Sequence, residues 1–178
     1  MDDLRPAAYV MLGMLRIGSR SGYEIRKSAE LSLRFFWAIS PRQIYDELRV
    51  LEERGLVAGS DDPKGSMKRR TFTLTDDGER ALAGWVAEPE LGLFEWRDMG
   101  LLKLFFADVL APAERRALIS RLRARAEDVR RSFDTTILPA AARTGQRHGN
   151  EMPALVAQFG ADFWTWMADW LEQLDDAT

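Results

Sequence analysis

Four cations crowd one short stretch of this sequence, Lys64, Lys68, Arg69 and Arg70, and no acidic side chain intervenes between Lys64 and Thr75. Asp61-Asp62-Pro63 before them and Gly65-Ser66 among them are turn formers, because Asp and Ser bond nearby backbone, Pro presets φ and Gly accepts positive φ. Arg70-Thr71-Phe72-Thr73-Leu74-Thr75 then alternates, which places Phe72 and Leu74 on the inner face of a strand. A protruding hairpin with this charge suits a phosphate track or a minor-groove contact. A second set opens at Ser40-Pro41-Arg42-Gln43. Ser at the cap, Pro at the first helical position and Gln at the third start a helix whose free N–H groups and dipole attract phosphate. At such an end Arg42 can pair with guanine and Gln43 with adenine in a major groove.

Other chemistries lack their residues. The chain has no cysteine, which removes disulfides, thiolate nucleophiles, zinc fingers and iron–sulfur ligation. Its one histidine, His148, stands between Arg147 and Gly149, and nothing in the sequence points to a nucleophile or orienting carboxylate for it. No enzyme, metal or cofactor is therefore expected. A net charge of −3 over 178 residues argues against nucleic acid when taken whole. Counted by region, residues 1–85 hold 14 Lys+Arg against 13 Asp+Glu, and the remainder 11 against 15, so the first half alone suits such a partner. Asp46 and Glu47, near the start of the well-capped helix, weigh the other way. The apolar run Ala7–Leu15 has nine residues, far fewer than the roughly 20 that span a bilayer, and Asp2 and Asp3 precede it where a secretion signal carries basic residues. A cytoplasmic protein without a membrane partner is expected.

The elements that must position these groups follow from periodicity and caps. A first helix over about Pro6–Ile17 is apolar nearly all round, which suits a central position. Ser21 and Glu24 form a capping box for a second, ending near Leu31. Leu33–Ile39 (LRFFWAI) is an apolar connector whose Phe35, Phe36 and Trp37 are expected to bury. The third helix runs from Ser40 to a stop at Gly55, with Ile44, Leu48 and Leu51 inward. Strands at Leu56–Ala58 and Arg70–Thr75 flank the basic turn, and Thr75 caps a fourth helix with Asp76 and Asp77 in its first turn. A boundary falls near Glu88-Pro89-Glu90, dividing the chain into residues 1–87 and 88–178.

Beyond the boundary the chain reads as all helical. Met99–Val109 is apolar, and Leu118, Leu122, Val129 and Phe133 recur at helical spacing after Pro112. The seven arginines from Arg115 to Arg131 on this helix read as a solvated face balanced by Glu114, Glu127 and Asp128. Thr144–Asn150 is expected to be a loop. A last helix from Glu151 carries Phe159, Phe163, Trp166, Met167, Trp170 and Leu174 as a stripe, widened by Trp164 and Leu171.

Helix, helix, capped helix, hairpin, helix is the order of a winged helix-turn-helix. Residues 7–80 resemble the DNA-binding domain of the PadR family in this order and spacing. The matching pieces are Leu12-Gly13-Met14-Leu15, Ser21-Gly22-Tyr23-Glu24-Ile25, Ile44-Tyr45-Asp46-Glu47-Leu48, Leu51-Glu52-Glu53-Arg54-Gly55-Leu56-Val57, and Arg70-Thr71-Phe72-Thr73-Leu74-Thr75 with Gly78. Phe72 departs from the tyrosine frequent in the family. Arg97-Asp98 running into Leu101–Phe106, with the Trp-rich last helix, is similar to the longer helical C-terminal domain of one PadR branch. The resemblance implies a mainly α protein: a winged helix-turn-helix with a two-stranded wing, followed by an all-helical domain that dimerises and is a candidate effector domain. It implies a homodimeric transcription regulator, a repressor by the family's usual mode, on a pseudo-palindromic operator in double-stranded DNA.

On that reading Arg42, Gln43 and Tyr45 face bases with Ser40 and Pro41 at the same helix start. Tyr23 and the wing residues Lys64, Ser66, Lys68, Arg69 and Arg70 hold phosphates. Phe36, Trp37 and Trp96 are the candidates for a small aromatic effector. Of the six tryptophans five lie at or after residue 85, where core and dimer interface are their ordinary uses. A second reading stays open, motivated by the acidic pI and by Asp46 and Glu47: a helical adaptor for a small molecule or protein that keeps the winged fold without operator binding.

Overall fold

A computed structural model describes residues 4–62 and 69–176. The chain divides into two compact units, Met1–Leu91 with Arg147–Asn150, and Gly92–Gln146 with Glu151–Thr178. Lys64, Ser66 and Lys68 lie outside the described residues.

The first unit is built on α1 (Pro6–Arg16), whose Ala8, Met11 and Leu12 are wholly buried. Around it pack α2 (Gly22–Glu30), α3 (Pro41–Glu53) and α4 (Asp76–Val86). Ile25 of α2 and Ile44, Leu48 and Leu51 of α3 meet it in one core with Val57 and Phe72, and each such fully buried aliphatic side chain stabilises by about 1.5–3 kcal/mol. β1 (Val57–Asp62) and β2 (Arg69–Leu74) form an antiparallel pair with Gly59 opposite Phe72 and Asp61 opposite Arg70. The Phe72 N–H donates to the Arg20 carbonyl at 2.8 Å, which ties the turn between α1 and α2 to the wing. Tyr9 stacks on Trp85 at 4.6 Å, joining α4 to α1.

The caps are local and follow from sequence. Ser40 Oγ accepts from the Gln43 N–H while Gln43 Oε1 accepts from the Ser40 N–H, a complete capping box. Ser21 caps α2 through the Glu24 N–H, and the Glu24 carboxylate also accepts from the Arg20 N–H at 2.8 Å. Gly55 takes the positive φ of +71° that ends α3.

One expectation fails in this unit. The connector folds only its first part into a single 3-10 turn, Leu33–Phe35, and leaves Phe36 62% and Trp37 45% exposed. Leu33 and Ile39 already fill the space beside the core, so the two large rings have no room beneath the backbone.

The second unit contains α5 (Met99–Phe105), α6 (Pro112–Ser132), α7 (Leu138–His148) as far as Gln146, and α8 (Met152–Asp176). A 3-10 turn at Ala107–Val109 follows α5, and a π turn at Phe133–Ile137 links α6 to α7. In the π turn the Leu138 N–H bonds the Phe133 carbonyl, and Phe133 and Ile137 are buried. α6 and α8 pack along one another, burying Leu118, Leu122, Ala126, Met167, Ala168 and Leu171. Two expectations change here. Residues 144–148 are helical, and the break comes at Gly149, whose φ is +65°. The apolar stripe of α8 splits, with Met167 and Leu171 inward but Phe159 71% and Trp166 57% exposed. Part of the arginine face of α6 is paired: Arg123 bonds Glu127 and Glu172, Arg131 bonds Asp128, Arg125 bonds Asp98, and Arg115 pairs with Asp108.

Asp98 fixes the start of α5. Its carboxylate accepts from the Leu101 N–H at 2.7 Å and from Arg125 Nη2 at 2.9 Å. Burial works against its charge, but the Leu101 N–H and the Arg125 guanidinium outweigh burial and hold the carboxyl below its usual range. A lowered value means stability that is present above the unfolded carboxyl pKa, near 3.9, and is lost as pH falls through the folded value. Asp98→Ala is therefore expected to cost about 1 kcal/mol at neutral pH, a typical cap loss. The gap to wild type should close in thermal melts taken at progressively more acid pH, and a gap that stays constant would show that the charge does not matter.

Candidate nucleic-acid interface

The first turn of α3 is the centre of the candidate site. Ser40, Pro41, Arg42 and Gln43 are all exposed. Arg42 stands clear of the surface, 91% exposed, with Asp46 one turn below at 3.5 Å. That pair is surface-screened and worth at most about 1 kcal/mol, so the guanidinium can exchange Asp46 for an acceptor on DNA. Tyr45 and Tyr23 flank this end, both more than half exposed. The Tyr45 ring lies where a side chain on Gly22 would be, with Cε1 at 2.5 Å from an added Cβ position. Glycine at 22 thus lets the starts of α2 and α3 approach, which sets Tyr45 beside the residue that precedes Tyr23. Arg26 lies 5.6 Å from the Tyr23 ring centre.

Gln43 is engaged by the cap. Its Oε1 accepts from both the Ser40 N–H at 3.0 Å and the Ser40 Oγ at 2.9 Å. Bidentate pairing with adenine needs that same oxygen, so the cap would have to open first. The amide nitrogen remains able to donate to a base or phosphate.

The two acids that weighed against a DNA surface are accounted for. Glu47 points inward, with its side chain 7% exposed and Arg5 Nη1 3.5 Å away. Asp46 is the partner of Arg42. On the far half of α3, Arg49 pairs with Glu53 at 2.6 Å.

Of the four wing cations, Arg70 is the one whose side chain is described. Arg70 turns to Glu52 and Asp61, at 2.5 and 3.0 Å. The backbone of Arg69 lies opposite Asp62 in the ladder. Sequence reasoning missed Glu52, Asp61 and Gly59 as neighbours of Arg70. The period of two could have found the inward turn, because Arg70, Phe72 and Leu74 share one strand face.

The effector candidates fall in different units. Trp37 lines a cleft of about 100 Å³ with Arg26, Arg34, Ile39, Pro41 and Ile44. Phe36 beside it is exposed without lining that cleft. Trp96 belongs to the helical unit, edge-on to Phe163 at 5.2 Å, and Phe163 continues to Trp166 and Trp170. No group of three or more potential metal ligands is present among the described residues, and no described helix is long and apolar enough to cross a membrane.

Residues 11–84 match the Transcriptional regulator PadR-like family, and residues 96–177 match the family described as Virulence activator alpha C-term. Residues 11–84 thus carry the domain of PadR-like transcriptional regulators. The Negative transcriptional regulator PadR of Bacillus subtilis is 28% identical over 142 residues, covering 77% of this chain and 78% of that protein. The fold is that of PadR: the crystal structure of B. subtilis PadR in complex with operator DNA aligns with a TM-score of 0.86 at 24% identity over 99% of both chains. The same protein in complex with p-coumaric acid aligns at 0.72 and 23% identity, over 97% of this chain and 98% of that one. The chain is thus a mainly α regulator with a winged helix-turn-helix and a helical C-terminal region. Regulation of transcription rather than catalysis is the work of PadR-like proteins, in line with the residues the sequence lacks.

Proposed function

We propose that this PadR-like regulator binds double-stranded operator DNA as a homodimer and represses transcription from the cytoplasm, with residues 1–87 as the DNA-binding domain and 88–178 as the dimerisation and effector domain. The exposed, fully capped start of α3, with Arg42 clear of the surface and Tyr23 and Tyr45 both more than half exposed, is the observation that carries this reading. A helix of this kind presents its first residues to base edges while flanking groups hold phosphates. Tyr23, Ser40 and Tyr45 supply hydroxyl contacts there, Pro41 contributes apolar contact, and Lys64, Ser66, Lys68 and Arg69 supply the wing.

Dimerisation is supported by the apolar surface of the helical unit. Phe105 is 80% and Val109 88% exposed on and beside α5, and large aliphatic and aromatic groups in such number are costly to leave in water. A two-fold axis would set two α3 helices about 34 Å apart, one DNA turn, which calls for a pseudo-palindromic site. The B. subtilis relative is named a negative regulator, which supports repression.

For the effector, Trp96 is the candidate we favour. The Trp37 cleft, at about 100 Å³, falls below the roughly 300–1,000 Å³ of ligand pockets, so Phe36 and Trp37 alone cannot enclose a ring. Trp96 has an aromatic wall in Phe163 and Trp166, and a small aromatic molecule such as the p-coumaric acid bound by the B. subtilis protein would stack there. Release follows if the effector favours a spacing of the two α3 helices that DNA does not.

Fluorescence anisotropy with a duplex from directly upstream of the protein's own coding region tests the proposal. Affinity should exceed that for a scrambled duplex and fall steeply with salt, with a log–log slope of about −0.9 per neutralised phosphate. Equal, salt-insensitive binding of both duplexes by a folded dimer would favour the adaptor reading.

A further inference from the structure

Arg70 faces the body of its domain. It shares a strand face with Phe72, and its guanidinium lies 6.0 Å from the Phe72 ring centre. One end of the guanidinium, Nη2, donates to Glu52 Oε1 at 2.5 Å, and the other, Nη1, to Asp61 Oδ1 at 3.0 Å. Glu52 belongs to the last turn of α3, and Asp61 is the cross-strand neighbour of Arg70 in the wing. One side chain thus links the recognition helix to both strands of the hairpin. Space for it is reserved in the backbone. A Cβ on Gly59 would strike the Glu52 carboxylate and lie 2.9 Å from Arg70 Nε, so any larger residue at 59 wedges the link open.

We infer that Arg70 is a positioning residue: with Glu52 and Asp61 it fixes the angle of the wing to α3, and it lends no charge to the DNA backbone. The inference rests on the operator-binding reading above. Three points support it. The Arg70 cation is bracketed by two carboxylates, so the local sum is negative and a phosphate would meet the acids with the base. Both contacts are charge-assisted, and the planar fork of arginine suits two acceptors at fixed directions where a lysine would serve as a point charge. The Glu52 hydrogen bond foremost, with Asp61 behind it, holds the guanidinium even more firmly protonated than usual. The wing cations that remain for phosphate are Lys64, Lys68 and Arg69.

The two roles predict opposite signs. Glu52→Gln removes a negative charge from a DNA-facing domain and frees Arg70. If Arg70 served phosphate, binding would tighten. With the link in place to be broken, binding weakens, by about tenfold if one charged hydrogen bond's worth of order is lost. Arg70→Lys keeps the charge, so a phosphate role predicts near wild-type affinity and the positioning role predicts a loss like that of Arg70→Gln. Under the positioning role Arg70→Gln shifts affinity in parallel at every salt concentration, whereas loss of a phosphate contact flattens the salt slope by about 0.9. Amide hydrogen exchange on the same proteins without DNA decides the matter independently. Exchange across Val57–Asp62 and Arg69–Leu74 is expected to rise in Glu52→Gln, Gly59→Ala and Arg70→Lys while α1 stays protected. Unchanged hairpin exchange, tighter binding by Glu52→Gln or a flattened slope in Arg70→Gln overturns the inference. If the wild type binds no DNA, the operator reading fails by itself and the exchange data still decide the link.

Discussion

Gly78→Ala is expected to destabilise the winged-helix unit by about 2 kcal/mol, although Ala is the better helix former by about 0.5–1 kcal/mol. Gly78 sits in the first turn of α4, where its N–H bonds the Thr75 cap at 3.1 Å. A Cβ added there would strike the Leu56 carbonyl oxygen. The obstacle is backbone, and it is held: the Leu56 carbonyl accepts from the Thr75 N–H at 3.2 Å, and Thr75 Oγ1 bonds the Gly55 carbonyl at 2.8 Å. Relief requires α4 to move off the strand, which costs overpacking strain and a hydrogen bond, together about 3 kcal/mol before the propensity gain is subtracted. Gly84 lies two turns further along the same helix, and a Cβ there meets nothing within 4 Å. Gly84→Ala is expected to stabilise by about 0.5–1 kcal/mol. Urea unfolding of the two variants should thus give midpoints on opposite sides of wild type. Two shifts of the same sign would show that intrinsic propensity, and not the close approach at Leu56, governs this helix.

Arg42→Ala is expected to weaken operator binding by about 1–3 kcal/mol, roughly tenfold to over a hundredfold, and to relax discrimination at one base pair of each half-site. Nothing in the fold depends on this side chain, so the melting temperature should not move. Asp46→Ala is the control. It removes the group 3.5 Å from Arg42, and because exposed pairs are worth little it should leave stability unchanged and tighten DNA binding slightly. Anisotropy against a set of operators changed one base pair at a time reads both effects. A uniform loss across all operators would place Arg42 on a phosphate instead of a base.

What was legible in the sequence was what is decided locally. The Ser40 cap, Pro41, the Gly55 stop and the Thr75 cap each depend on residues within one turn, and each forms as read. The inward stripe Ile44, Leu48 and Leu51 was legible for the same reason. Three features were not, because they depend on how space is shared in the packed structure and not on residue type alone. Phe36 and Trp37 stay exposed since Leu33 and Ile39 occupy the ground beside them. α7 runs through Gly145, a residue that costs about 1 kcal/mol in a helix, because the π turn delivers it as a continuation of α6. The eight apolar positions read on α8 exceed what α6 can cover, so Phe159 and Trp166 face outward. At the site, the residue types were legible and their duties were not. Gln43 is engaged by its own cap, and Arg70 by an acid 18 positions earlier in the chain.

The π turn at Phe133–Ile137 also bears on how relatives of this chain are to be aligned. Such a turn amounts to one residue inserted into a helix and kept as a bulge. Loss of a single codon there would restore ordinary pitch without a break, and because the bulge absorbs its extra residue locally, every later position of α7 would keep its face. Lineages could therefore differ in length by one residue within this long rod and still look uninterrupted. A gap placed in the loop after His148 would then pair side chains about 100° apart along α7, so the gap belongs between 133 and 137.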